Sequence, residues 1–149
     1  GLFQQLQAAD SITSPNAGTD LVNQINGEAT AIVIGTPVYN SAAGTVRRGQ
    51  ANAAGTSDLR GMVFDTTITN GASGQIATHG LVTATTGQWD AVTGQTGGLT
   101  PLARYFLDPT TAGRMTVTPP VTVGQLLVLL GTASSTTDFD LDIEPEILL

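Results

Sequence analysis

Cysteine is absent from this 149-residue chain, and so is lysine. The first absence excludes disulfide scaffolds, thiol nucleophiles and zinc sites built on thiolates, and it is compatible with folding in a cytosol. The second leaves Arg47, Arg48, Arg60, Arg104 and Arg114 as the basic residues against twelve acids, a net charge of −7. A basic surface that tracks a phosphate backbone is not expected, so nucleic acid is not an expected partner. Charged residues are only 11% of the chain and aromatics 5%, a balance that does not suit amphipathic helices displaying Lys and Glu. No uninterrupted apolar run is long enough to cross a bilayer as a helix, and no membrane partner is expected; residues 126–130 read as a buried strand. The first six residues have neither the basic nor the apolar region of a secretory signal.

What the chain has in abundance is threonine, alanine and glycine, a composition for many short strands and turns. From residue 31 onward, candidate strands fall at 31–34, 37–39, 45–48, 61–64, 75–85, 103–107, 114–118, 125–130 and 139–143, with turns expected at Gly35, Gly44, Gly55, Gly71, Gly74, Gly113 and Gly124. Strands at this spacing without an intervening long helix predict an all-β fold, an antiparallel β-sandwich or barrel. Asn70-Gly71 is the strongest hairpin signal, since a type I′ turn wants positive φ at both central residues. Residues 88–92 support one short helical turn that docks Trp89 into the core. Residues 1–30 differ: Leu2, Phe3 and Leu6 sit near helical spacing, but 11–19 is polar and contains Pro and Gly. They read as an amino-terminal arm or leader, either a mobile terminus, the reading that the usual behaviour of termini favours, or an extended arm that orders against a neighbouring subunit, with 31–149 as the β-rich domain.

The stretch 89–119 is the most patterned. Gly97-Gly98-Leu99-Thr100-Pro101 reads as a turn, 104–107 as a strand, and Asp108-Pro109 with Ala112-Gly113 as a reversal. Met115 and Val117 then alternate with Arg114, Thr116 and Thr118, which predicts one apolar and one polar face. Trp89, Tyr105 and Met115 are expected to pack inward.

Candidate chemistry is sparse. The single histidine, His79, has no His, Cys or acidic cluster near it in sequence and reads as structural or surface-exposed. Ser57 lacks the glycine pattern of a nucleophile elbow, and Gly94, Gly97 and Gly98 match neither a Walker nor a Rossmann loop. Asp90 and Asp108 could be nominated as a glycosidase pair, but nothing in the sequence selects them. No catalytic, cofactor or metal site is expected, and the chain is not expected to be an enzyme. Its acidic end is more distinctive: Asp138, Asp140, Asp142, Glu144 and Glu146 alternate with Phe139, Leu141, Ile143, Pro145 and Ile147. An extended strand would put every carboxylate on one face and every apolar side chain on the other. This segment holds five acids and no base, leaving a net −2 for the rest of the chain. Its acidic face reads as a solvated edge, a contact for basic residues of a partner, or a calcium site assisted by loop oxygens.

An ordered series of short strings carries a resemblance: 88–94 (QWDAVTG), 97–101 (GGLTP), 105–107 (YFL), 113–116 (GRMT), Pro119-Pro120, Gly124-Gln125, 131–133 (GTA) and the terminal Ile147-Leu148-Leu149. Over roughly the last 75 residues the chain resembles the carboxy-terminal half of tailed-bacteriophage virion structural proteins, both small capsid decoration (cement) proteins and the ends of tail fibres. One departure is Leu102, where related sequences usually place glycine soon after Leu-Thr-Pro; if that position needs positive φ, the turn is expected to be rearranged. With no long shaft or heptad stem in the chain, the decoration class fits better. The resemblance implies a homotrimer on the outer capsid lattice, partnered by the major capsid protein, made in the host cytoplasm and located on the virion. Contacts are expected from Leu2, Phe3 and Leu6 of the arm, from Arg47, Arg48 and Arg60, and from Asp138, Asp140 and Asp142. The rival is a receptor- or carbohydrate-binding tip domain with Trp89, Tyr105 and Arg104 as an exposed patch.

Overall fold

The computed structural model describes residues 18–149. Leu2, Phe3 and Leu6 lie outside the described residues. The described residues fold as an all-β protein with two short helices.

The first strand, β1 (Asp20–Asn26), falls inside the stretch assigned to the arm, so the sheet begins eleven residues earlier than the sequence pattern implied. The reason is visible in its neighbours. Leu21 packs on one hydrophobic cluster and Val22 on another, so adjacent residues serve opposite faces and both end half-buried. No apolar alternation survives to be read.

Strands β2 (Ile32–Val33), β3 (Pro37–Ala42), β4 (Thr45–Arg48), β5 (Leu59–Val63), β6 (Thr67–Ile68) and the eleven-residue β7 (Ser73–Thr83) follow. Four pairings, β4 on β3, β3 on β5, β5 on β7 and β7 on β1, are antiparallel; β1 then joins β4 in parallel and closes a five-stranded barrel. Its interior holds Val38, Val46, Val63 and Ile76, with Ile32 and Ile68 from the small β2–β6 ladder. Asn70-Gly71 does turn the chain, but only Gly71 has positive φ and Ala72 N–H donates to Thr69 C=O at 3.0 Å. This is the pattern of a type II turn rather than type I′. Gly55 lies in the one-turn helix α1 (Ala54–Ser57) and Gly74 in β7, so neither is the turn expected of it.

Beyond its barrel half, β7 continues into a second, open sheet through β12 (Asp138–Leu141), β11 (Leu129–Ala133), β8 (Arg104–Leu107) and β9 (Met115–Thr116). The carboxy-terminal β13 (Ile147–Leu148) pairs with β10 (Leu126–Leu127). Against the open sheet packs α2 (Thr86–Thr93), eight residues where one short turn over 88–92 was expected. Thr85 and Gln88 form a reciprocal capping box at its start, and Gly94 at φ 72° closes it in the left-handed conformation. Trp89 enters the core from this helix, 5.9 Å from the Phe139 ring, and Tyr105 meets Phe139 edge-on at 5.8 Å. Trp89 Nε1 donates to Thr137 C=O at 2.7 Å, so its one polar atom is paired. Met115 is buried as expected, but the strand stops at Thr116 and Val117 is 40% exposed.

The closing strand is pinned by Asn26, which is fully buried. Its Nδ2 donates to Thr30 C=O at 2.9 Å and Ile68 C=O at 2.8 Å, while its Oδ1 accepts from Glu28 N–H at 2.7 Å. Asn26→Ala strands the Ile68 carbonyl inside and is expected to destabilise the fold by about 2–3 kcal/mol. Urea unfolding followed by circular dichroism measures this; a loss below about 0.5 kcal/mol, the range of ordinary surface substitutions, would show that Asn26 does not hold β1 in place.

Candidate functional site

The acidic strand keeps its alternation where it is a strand. Phe139 and Leu141 are buried and Asp140 is exposed, with Asp138 half-buried. Thr83 Oγ1 on β7 donates to Asp138 Oδ1 at 2.9 Å. Asp140 stands opposite exposed Leu81, and Asp142, just past the strand, lies 3.9 Å from His79 Nε2. The structure therefore gives His79 an acidic neighbour across the sheet that its sequence context did not show. The alternation runs on through Ile143, half-buried against the core, and exposed Glu144, whose N–H donates to Leu129 C=O at 3.0 Å; it fails beyond Glu144, where Pro145 and Ile147 are both exposed. Among the described residues no three His, Cys, Asp or Glu side chains are placed to hold a metal ion.

The arginines separate. Arg48 donates to Thr30 Oγ1 and Ala31 C=O and lies 3.5 Å from Glu28, whose other oxygen accepts the Arg48 backbone N–H. That guanidinium is spent within the fold. Arg47, opposite Tyr39 on β4, is exposed. Arg60 is exposed too and lines a cleft of about 360 Å³ with Asp58, Thr78, Glu144 and Glu146, at the fork where β5 and β12 part company along β7. The Ser57 hydroxyl donates to Glu146 at the cleft wall. Arg60 and the acidic end are thus brought together, whereas Arg47 is not part of that cleft.

The two carboxylates nominated for glycan chemistry are both occupied by backbone. Asp90 accepts from Gly97 and Gly98 N–H at 3.1 and 2.8 Å, holding the glycine turn against α2. Asp108 accepts from Thr110 and Thr111 N–H at 2.7 and 3.0 Å, closing an Asx-type turn. The aromatic recognition patch does not exist as a surface, since Trp89 and Tyr105 are fully buried and Tyr105 OH is engaged by Thr100 N–H and Gln95.

Sequence reasoning missed the apolar corner. The 121–124 loop runs into the β10–β13 ladder, and Gly124 N–H donates to Leu149 C=O at 2.9 Å. Val121 is 85% exposed, Val123 88% and Leu148 72%. Beside them runs an apolar groove of about 630 Å³, with Phe106, Leu127 and Leu129 below and Pro119 and Ile147 at the sides. The only available signal was the alternation Val121-Thr122-Val123, which reads equally well as a strand. No protein-family model matches the chain, and no curated protein matches it.

Leu102 is the one described non-glycine residue at positive φ, 67°. The turn is not rearranged as expected: Ala103 N–H donates to Thr100 C=O at 3.2 Å, and Leu102 N–H to Ala133 C=O at 2.8 Å. Pro101 fixes the first central residue and leaves Leu102 the left-handed one, with its side chain 83% exposed. Left-handed strain of about 1–2 kcal/mol outweighs the added unfolded-state freedom of glycine, about 0.4–1 kcal/mol. Leu102→Gly is therefore expected to raise the thermal midpoint by about 2 °C in calorimetry, and a fall would show that the leucine makes a contact worth more than its strain.

Proposed function

We propose that this chain is a phage capsid decoration protein, a homotrimer that binds the outer capsid lattice and ties neighbouring capsid subunits together. The observation that carries the proposal is the apolar corner. Val121 and Val123 on loop 121–124 and Leu148 on β13, two segments tied by the Gly124–Leu149 hydrogen bond, keep most of their surface in water. Such clustering is a feature of surfaces that another protein covers. The ordered resemblance of roughly the last 75 residues to virion proteins supplies the class of partner, the major capsid protein.

In this proposal the corner gives the apolar contact, while Asp140 and Asp142 on the open sheet, with Arg47 and Arg60 on the barrel side, set orientation by charge. The residues bearing Leu2, Phe3 and Leu6 add a further contact. Modest individual contacts suffice, because trimeric attachment makes the later ones form at high effective concentration. The chemistry required is binding alone.

Purified protein is mixed with expanded capsids that lack it and, separately, with host cells. Stoichiometric capsid uptake without cell adhesion is the expected result. Val121→Asp with Val123→Asp, both on exposed side chains, is expected to lower uptake by roughly tenfold or more, the loss of about 1.4 kcal/mol or more of apolar contact. Adhesion to cells with no capsid uptake would overturn the proposal, and unchanged uptake by the double variant would remove the corner from it.

A further inference from the structure

We propose that Asn70 is a self-modification site, an asparagine that cyclises onto Gly71 and loses ammonia at a rate set by how often the end of β1 opens. The inference is independent of the capsid reading.

The chain holds two Asn-Gly pairs, Asn26-Gly27 and Asn70-Gly71. Glycine has no Cβ to shield its own nitrogen, so in such a pair that nitrogen reaches the preceding side-chain amide with least hindrance. At the second pair the Gly71 nitrogen attacks Asn70 Cγ. The N–Cγ bond forms, the Cγ–Nδ2 bond breaks, and ammonia departs with the proton that the Gly71 amide gives up. Water then opens the five-membered imide at one of its two carbonyls and leaves aspartate or isoaspartate. Water is the one co-reactant.

The fold treats the two pairs differently. Asn26 is fully buried, and its side chain is bonded to Thr30 C=O, Ile68 C=O and Glu28 N–H. Gly27 N–H donates to Val46 C=O at 2.9 Å, and a Cβ placed on Gly27 would meet Thr45 Cγ2 at 2.6 Å, so an imide ring has no room there. Asn70 and Gly71 are both exposed, and a Cβ on Gly71 would meet nothing within 4 Å. What restrains this pair is one bond, from Gly71 N–H to Asn26 C=O at 2.9 Å. Asn26 N–H answers it by donating to Ala72 C=O at 2.9 Å. The two bonds staple turn 69–72 to the last residue of β1, and while they hold, the proton that the attack must release is kept on the Gly71 nitrogen. Reaction therefore draws on the molecules in which this end of β1 has opened, and a local opening at a strand end costs less than global unfolding.

The product weakens the staple that controlled its formation. Either product adds a carboxylate to a chain already at −7. Isoaspartate also routes the main chain through Cβ, which puts an extra atom between Asn70 and Gly71 and moves the Gly71 N–H off the Asn26 carbonyl. The barrel's closing strand is thereby loosened irreversibly as the protein ages.

The folded protein is held at mildly alkaline pH and each asparagine is followed by peptide mass spectrometry, with the same chain unfolded in concentrated urea as the reference. Unfolded, the two Asn-Gly pairs are expected to convert at similar rates. Folded, Asn70 is expected to convert roughly tenfold or more slower than in the unfolded chain, yet roughly tenfold or more faster than Asn26. Urea below the unfolding transition is expected to raise Asn70 conversion and Gly71 amide hydrogen exchange by the same factor, and Asn26→Ala, which loosens the same anchor, to raise both as well. The urea series needs no variant to fold. Conversion of Asn70 at the unfolded rate, conversion of Asn26 as fast as Asn70, or faster Gly71 exchange without faster conversion would each overturn the proposal.

Discussion

Everything in this fold depends on a three-strand wall that faces two cores at once. Leu21 on β1, Ala77 on β7 and Met62 on β5 are register partners and lie against one hydrophobic cluster. The next residues along, Val22, Ile76 and Val63, are partners in turn and lie against the other. Two apolar rows back to back mean that no residue of the wall can change size without being felt on one side. The barrel has no free edge along β1, because that strand joins β7 on one side and β4 on the other, and closure of this kind removes the edge-strand hazard.

From that wall the second core grows outward. β7 outruns the barrel and hands its last residues to β12, so the open sheet inherits its register from a strand already fixed on the barrel side. Phe139, held between Trp89 and Tyr105, then locks β12 to α2 and to β8. With the inner face filled by these rings, the outer face is left to Asp140, Asp142, His79 and Leu81, and the far end to the apolar groove and corner. The surfaces offered to a partner are therefore consequences of how the core is filled.

Much of this was legible from residue order. The burial of Tyr105 and Met115 followed from their place in short, turn-bounded strands, that of Trp89 from a helical turn that docks it, and the acidic face of β12 from strict alternation. The helix was underestimated because the Thr85–Gln88 capping box, which stabilises its first turn, was not weighed. β1 was lost because its neighbouring Leu21 and Val22 serve different cores, a circumstance that erases the period-two signal. Leu102 carried a correct signal with the wrong outcome: the position does need positive φ, and leucine supplies it under strain. The groove was invisible because it joins β8, β10 and the 144–147 segment, whose proximity is tertiary.

Native-state amide hydrogen exchange along β7 tests the shared wall most directly. If one wall serves both cores, residues 75–77 in the barrel half and 81–83 in the open-sheet half open together, with exchange free energies within about 0.5 kcal/mol of one another. A barrel half that opens at a free energy lower by about 2 kcal/mol or more would show two separately stable units and contradict the account.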